Sequence, residues 1–163
     1  MAVFSAWLFD TPEGAERARG ILERAEADQL GKVLDSAIVS WPVGAAEPTT
    51  SHKREDTWRG AGWGALFGAM FGVLLFVPVV GAAAVGAGAG ALMKGLNGLG
   101  ISAEQIESIR ASVVPGTSAL FLVGEARDPD RIAERLRGIR AKLLETNLTE
   151  AEARAQFEGI ERG

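Results

Sequence analysis

Between Gly60 and Met93 the chain runs for 34 residues without a charged side chain. Nothing else in the sequence restricts the fold as strongly, because so long an apolar run must be sheltered by lipid or by protein. As one helix it would extend about 50 Å, against a hydrocarbon core of about 30 Å. The stretch Val77-Pro78-Val79-Val80-Gly81 interrupts it. Pro78 removes a helical hydrogen bond and disfavours helical backbone at Val77. The reading is a helical hairpin inserted over residues 58–100, its arms about 17 residues each and its turn at Pro78 and Gly81.

More than half of the chain's 21 glycines fall in this block. Gly60, Gly64, Gly68 and Gly72 stand four apart, which on a helix draws one nearly straight stripe. A stripe without side chains lets a second helix approach to backbone contact. Trp63, Phe67, Met70, Phe71, Leu74 and Leu75 crowd the other faces and suit lipid or a broad apolar partner. Each interior glycine costs a helix roughly 1 kcal/mol against alanine, so this helix requires close packing or a nonpolar solvent. The second arm repeats the spacing at Ala82, Gly86 and Gly90, with Lys94 one step further along. Trp58, Arg59 and Lys94 read as anchors at a membrane–water interface. With Lys53 and Arg54 ahead of the first arm, both hairpin ends face the cytoplasm under the positive-inside tendency. The expected location is therefore the inner membrane, with the rest of the chain cytoplasmic. The alternative is a cytoplasmic assembly that buries the hairpin in an oligomer.

The flanks read differently. Residues 1–57 carry a net charge of −4 and residues 101–163 carry −2, so neither is a basic nucleic-acid surface. Ala2 to Phe9 reads as a buried strand, followed by a helix from Pro12 to Leu30 with Thr11 as its N-cap and Gly31 as its stop. Lys32 to Trp41 reads as a second strand, with a short return strand around Pro48 to Lys53. After the insertion, Ser102-Ala-Glu-Gln105 is a capping box opening a helix. Pro115-Gly116 is a turn, and Ser118 to Val123 is a strand extending toward Ala126. Asp128-Pro129 starts the next helix, Ala141 to Leu148 returns as a strand, and Thr149-Glu-Ala-Glu152 caps a terminal helix. The fold class is α+β: residues 1–57 and 101–163 form two halves of a ferredoxin-like split sheet with helices on one face, interrupted by the hairpin.

The residues offer little for catalysis. The chain has no cysteine and a single histidine, His52, within Thr49-Thr-Ser-His-Lys-Arg-Glu-Asp56. Neighbouring Ser51 and His52 lack the orienting acid and oxyanion site that a triad assembles in space. No His, Cys, Asp or Glu spacing suggests a metal, and Gly86-Ala-Gly-Ala-Gly90 lacks the Gly-Lys-Ser/Thr ending of a phosphate loop. Asp128 reads as a helix cap. Arg131, Arg135, Arg137, Arg140 and Lys142 read as a solvated helix face. No cofactor or small-molecule substrate is expected.

Pro115-Gly-Thr-Ser-Ala-Leu-Phe-Leu-Val123 followed by a helix, then Leu144-Glu-Thr-Asn-Leu-Thr149 with a closing acidic helix, and a Gly/Ala hairpin between two halves, resemble the bacterial family called domain of unknown function 1269. Its members are usually described as predicted membrane proteins. The resemblance implies a ferredoxin-like domain carrying a membrane hairpin and transfers no catalytic residues. The long polar stretch before the hairpin and the short second arm depart from that pattern. The expectation is a non-enzymatic, membrane-associated homo-oligomer of structural or stress-related type, with itself and lipid as partners. A soluble filament, shell or cage, and a pore or channel, are the rivals. The pore is disfavoured because the hairpin carries no polar stripe.

Overall fold

A computed structural model describes residues 3–46, 48–54 and 102–161. The described residues form five strands and four helices: β1 (Val3–Phe9), α1 (Gly14–Ala27), β2 (Gly31–Ser40), β3 (Thr49–Arg54), α2 (Ala103–Ser112), β4 (Ser118–Ala126), α3 (Pro129–Leu136), β5 (Ala141–Thr146) and α4 (Glu150–Glu161). The protein is α+β. All ladders are antiparallel, in the order β3-β2-β4-β1-β5. The unit β1-α1-β2 therefore straddles β4, and the unit β4-α3-β5 straddles β1. Each half of the chain supplies the strand that the other half needs at its centre.

Antiparallel partners point to the same side of a sheet, so the registers sort the side chains into two faces. One face carries Val3, Trp7 and Phe9 from β1, Ile38 from β2 and Leu120 from β4. These join Ala15, Ala18, Leu22 and Ala25 of α1, Ile132 and Leu136 of α3, and Ala153, Phe157 and Ile160 of α4 in one core. The apolar spacing in α1 brings Ala15, Ala18, Leu22 and Ala25 onto one buried stripe. Small alanines let that helix lie close to the sheet. Trp7 meets Phe157 edge to face at 5.2 Å, and its indole Nε1 donates to Ser5 Oγ at 2.9 Å.

The other face carries Phe4 and Ala6, Ala37 and Val39, and Phe121 and Val123, with Asp35 among them. It too is buried. The expectation of helices on one face alone is corrected here. Gln105 Nε2 of α2 donates to Glu145 Oε2, which shares a face with Ala6, so α2 lies opposite the other three helices. The strand compositions explain this: β1 and β4 are apolar at successive positions, as strands covered on both sides are.

Two boundaries differ from the sequence reading. The residue entering α1 is Glu13, without a side-chain cap, and Thr11 does not cap the helix. Gly31 does not stop it either. The chain turns at Gln29, whose φ is 61°, and Gly31 begins β2. A Cβ at Gly31 would lie 2.8 Å from the Glu125 carbonyl oxygen, so glycine is required there by strand approach. Leu143, on a spacing shared by helix and strand, is in β5.

Candidate functional site

The sequence-predicted contact residues Gly60, Gly64, Gly68, Gly72, Ala82, Gly86 and Gly90 lie outside the described residues. So do the apolar set Trp63, Phe67, Met70, Phe71, Leu74 and Leu75, the turn residues Pro78 and Gly81, and the anchors Trp58, Arg59 and Lys94. The described residues locate where that segment is rooted. Arg54, the last residue of β3, stands opposite Asp35, which stands opposite Val123, which in turn pairs with Phe4. Ser102 enters α2, whose Gln105 Nε2 donates 2.9 Å to Glu145 Oε2 and 3.2 Å to the Thr146 carbonyl. Thr146 Oγ1 donates to the Phe4 carbonyl at 2.7 Å. The two roots thus adjoin opposite edge strands, β3 and β5, at the same end of the sheet. Residues 55–101 leave and return at the same end.

His52, in β3, is in register opposite Ala37. Asp128 caps α3, its Oδ1 accepting from the Arg131 backbone N–H at 3.1 Å. Arg131, Arg135, Arg137, Arg140 and Lys142 are exposed, and Arg135 reaches Asp28 at 2.6 Å. Among the described residues no group of His, Cys, Asp or Glu is arranged to hold a metal. No buried side-chain polar atom among them lacks a hydrogen-bond partner, so none is left waiting for a ligand. Among the described residues two carboxyls are held below the usual glutamate range, and both lie in the first turn of a helix. Glu104 is lowered by its own backbone N–H and by the Ser102 hydroxyl, and Glu152 by the Thr149 hydroxyl and backbone N–H.

A cavity of about 80 Å³ lies between the first sheet face and α1, α3 and α4, lined by Trp7, Leu22, Leu122, Ile132, Phe157 and Ile160 among others. Glu26 also borders it, but its Oε1 is occupied by the Val33 N–H at 2.9 Å. Ligand sites are commonly about 300 Å³ or more, so this cavity is small for one.

The sequence matches the family described as protein of unknown function (DUF1269) over residues 61–159, more than half of the chain. The chain belongs to this family. Comparison with curated proteins and with solved structures gave no match. In this DUF1269 protein the matched stretch contains α2, β4, α3, β5 and most of α4, while β1, α1, β2 and β3 precede it. Because β1 separates β4 from β5, the described part of the matched stretch alone holds no pair of adjacent strands. Among the described residues no helix is long and apolar enough to cross a membrane.

What sequence reasoning missed is the second sheet face. Its signal was present: Val3-Phe4-Ser5-Ala6-Trp7-Leu8-Phe9 and Ala119-Leu120-Phe121-Leu122-Val123 do not alternate with charged residues, as strands with a wet face do.

Proposed function

We propose that this DUF1269 protein is a non-enzymatic, membrane-associated homo-oligomer that self-assembles through its glycine ladder, with the split sheet, of ferredoxin-like type, as its head. The observation that carries the reading is the spacing Gly60, Gly64, Gly68, Gly72 inside an uncharged run of 34 residues. Small residues at that spacing serve close helix contact, and a run without charge suits lipid. The shared end at which Arg54 and Ser102 sit supports an out-and-back excursion, as a hairpin makes. Its partners are further copies of itself and lipid. The non-enzymatic part rests on the absence of cysteine and of any catalytic spacing around the one histidine.

The test is the double substitution Gly64→Leu and Gly68→Leu, read by particle size with and without detergent and by lipid content of the same sample. The wild-type protein is expected as large, lipid-bearing particles that the double variant reduces in size. A particle unchanged in size excludes the ladder as the contact surface. A second reading, soluble assembly, is favoured by the burial of both sheet faces, and large particles free of lipid would establish it.

A further inference from the structure

Three helices lie over the first face of the sheet without sealing it. Leu22 of α1, Ile132 of α3, and Phe157 and Ile160 of α4 each keep 7–9% of their surface open, and all four line the cavity of about 80 Å³. The cavity is a long slot. Its lining follows β1 from Phe9 to Val3 and β4 from Leu120 to Ala126, about 20 Å at about 3.4 Å per residue. The two ends differ. At one, Phe9, Ala18 and Leu136 are buried, so that end is blind. At the other, Lys32, Glu125 and Ala126 are exposed, so that end is open. The charged residues on the border, Glu26, Lys32 and Glu125, all stand at the open end: Lys32 is in register with Glu125, and Glu26 accepts from the Val33 N–H. Deeper in, the Ser5 hydroxyl is already taken by Trp7 Nε1. A polar group brought inside would find no partner waiting and would lose its water.

We infer that this slot takes the end of one unbranched alkyl chain, methyl first, with the polar head of the amphiphile left outside at Lys32 and Glu125. The walls select hydrocarbon, and charge at one end only matches a molecule that is apolar at one end only. The volume excludes a ring, since a cavity that binds benzene measures about 150 Å³, nearly twice as much. At about 30 Å³ for a group the size of a water molecule, 80 Å³ holds about three methylene groups with the walls as they stand. Each methylene added inside tightens binding about fourfold, the equivalent of about 0.8 kcal/mol. A free fatty acid and a bilayer lipid both carry such a chain. The inference goes beyond the proposed function and does not rest on it, since the slot lies wholly among the described residues.

The test uses the full-length protein with isotope-labelled methyl groups. It is titrated with sodium butanoate, hexanoate and octanoate below their micelle concentrations, and separately with vesicles of phosphatidylcholine and phosphatidylglycerol. The Leu22, Ile132 and Leu136 methyls report on the slot, and Val43, 82% exposed and outside it, reports indiscriminate apolar contact. Two variants alter the slot: Ala25→Leu fills it and Leu136→Ala widens it. Octanoate is expected to shift the slot methyls and not Val43, with Kd falling about fourfold per added methylene before levelling off. A25L is expected to weaken binding at least about tenfold, through the burial of two or more methylene groups lost. L136A is expected to tighten binding and to admit benzene, which the wild type refuses. If A25L does not fold, L136A and the reporter methyls decide. Silent slot methyls, shifts at Val43 as large as those in the slot, or an affinity indifferent to both variants would overturn the inference. Slot shifts with the alkanoates would identify free fatty acid as the source of the chain, and slot shifts with vesicles alone would identify bilayer lipid; either supports the slot. Particle size reports assembly separately, so chain binding can hold where assembly fails, and the reverse.

Discussion

Ser118 is fully buried and joins three parts of the molecule through one hydroxyl. Its Oγ donates to the Thr11 carbonyl at 2.7 Å and accepts from the Ala15 backbone N–H at 3.0 Å. The first turn of α1 has no cap of its own, and a serine 103 residues away in sequence satisfies one of its orphan donors. Ser118→Ala would strand the buried Ala15 N–H, while the Thr11 carbonyl keeps its bond from the Gly14 N–H at 3.3 Å. A loss of about 1–3 kcal/mol is expected in urea unfolding, with the spectrum of the folded state unchanged. Gly124 is the other sensitive position. A Cβ there would lie 2.6 Å from the Lys32 carbonyl oxygen, a backbone atom that cannot swing aside. Gly124→Ala is expected to cost about 1–3 kcal/mol by the same measurement, through separation of β2 from β4. Neither role was readable locally: Ser118 looked like the first residue of a strand, and Gly31, which makes the same kind of approach, looked like a helix stop.

At the scale of elements, local signals were the most legible. Both capping boxes read from sequence are present. Gln105 N–H donates to Ser102 Oγ at 3.2 Å, while Gln105 Oε1 accepts from Ser102 N–H at 2.9 Å. Thr149 and Glu152 exchange the same pair, at 2.9 and 3.4 Å. Their pattern is legible because a cap needs partners only three residues apart. The Glu152 carboxyl is lowered, so its charged form is favoured by folding. That contribution is full above the ordinary glutamate value of 4.5 and is lost as pH falls through the lowered folded value. Glu152→Gln is therefore expected to be less stable than wild type near neutrality, with the difference shrinking as pH falls below 4.5. Urea midpoints across that range check it; a difference constant with pH would show that the charge does not contribute. What the elements did not reveal was their side of the sheet. The face occupied by α2 follows from Gln105 reaching Glu145, a contact across 40 residues.

For the whole molecule, the interleaving of the halves decides how it folds. β4 is hydrogen-bonded between β1 and β2, and β1 between β4 and β5. Residues 1–54 alone keep β2 and β3 as neighbours but leave β1 without a partner, and residues 102–163 alone have no adjacent strands. Each fragment by itself is expected to lack protected backbone amides in hydrogen exchange, and the mixture is expected to recover them. Protection in either fragment alone would show that the halves are separate domains. The apolar core sits between sheet and helices drawn from both fragments, so burial and strand pairing are acquired together.

The sequence by itself determined the α+β class, the order of strands and helices, both capping boxes and the family. It also marked out the uncharged, glycine-rich run from Gly60 to Met93. These follow from interactions over a few residues, or from periodicity within one element. Tertiary structure decided the strand order, the serine that caps α1 from β4, the placement of α2 opposite its three companions and the burial of both sheet faces. Each of these depends on atoms brought together from both sides of residues 55–101. Period-two or period-3.6 spacing identifies an apolar side chain, but it cannot name the element that will cover it.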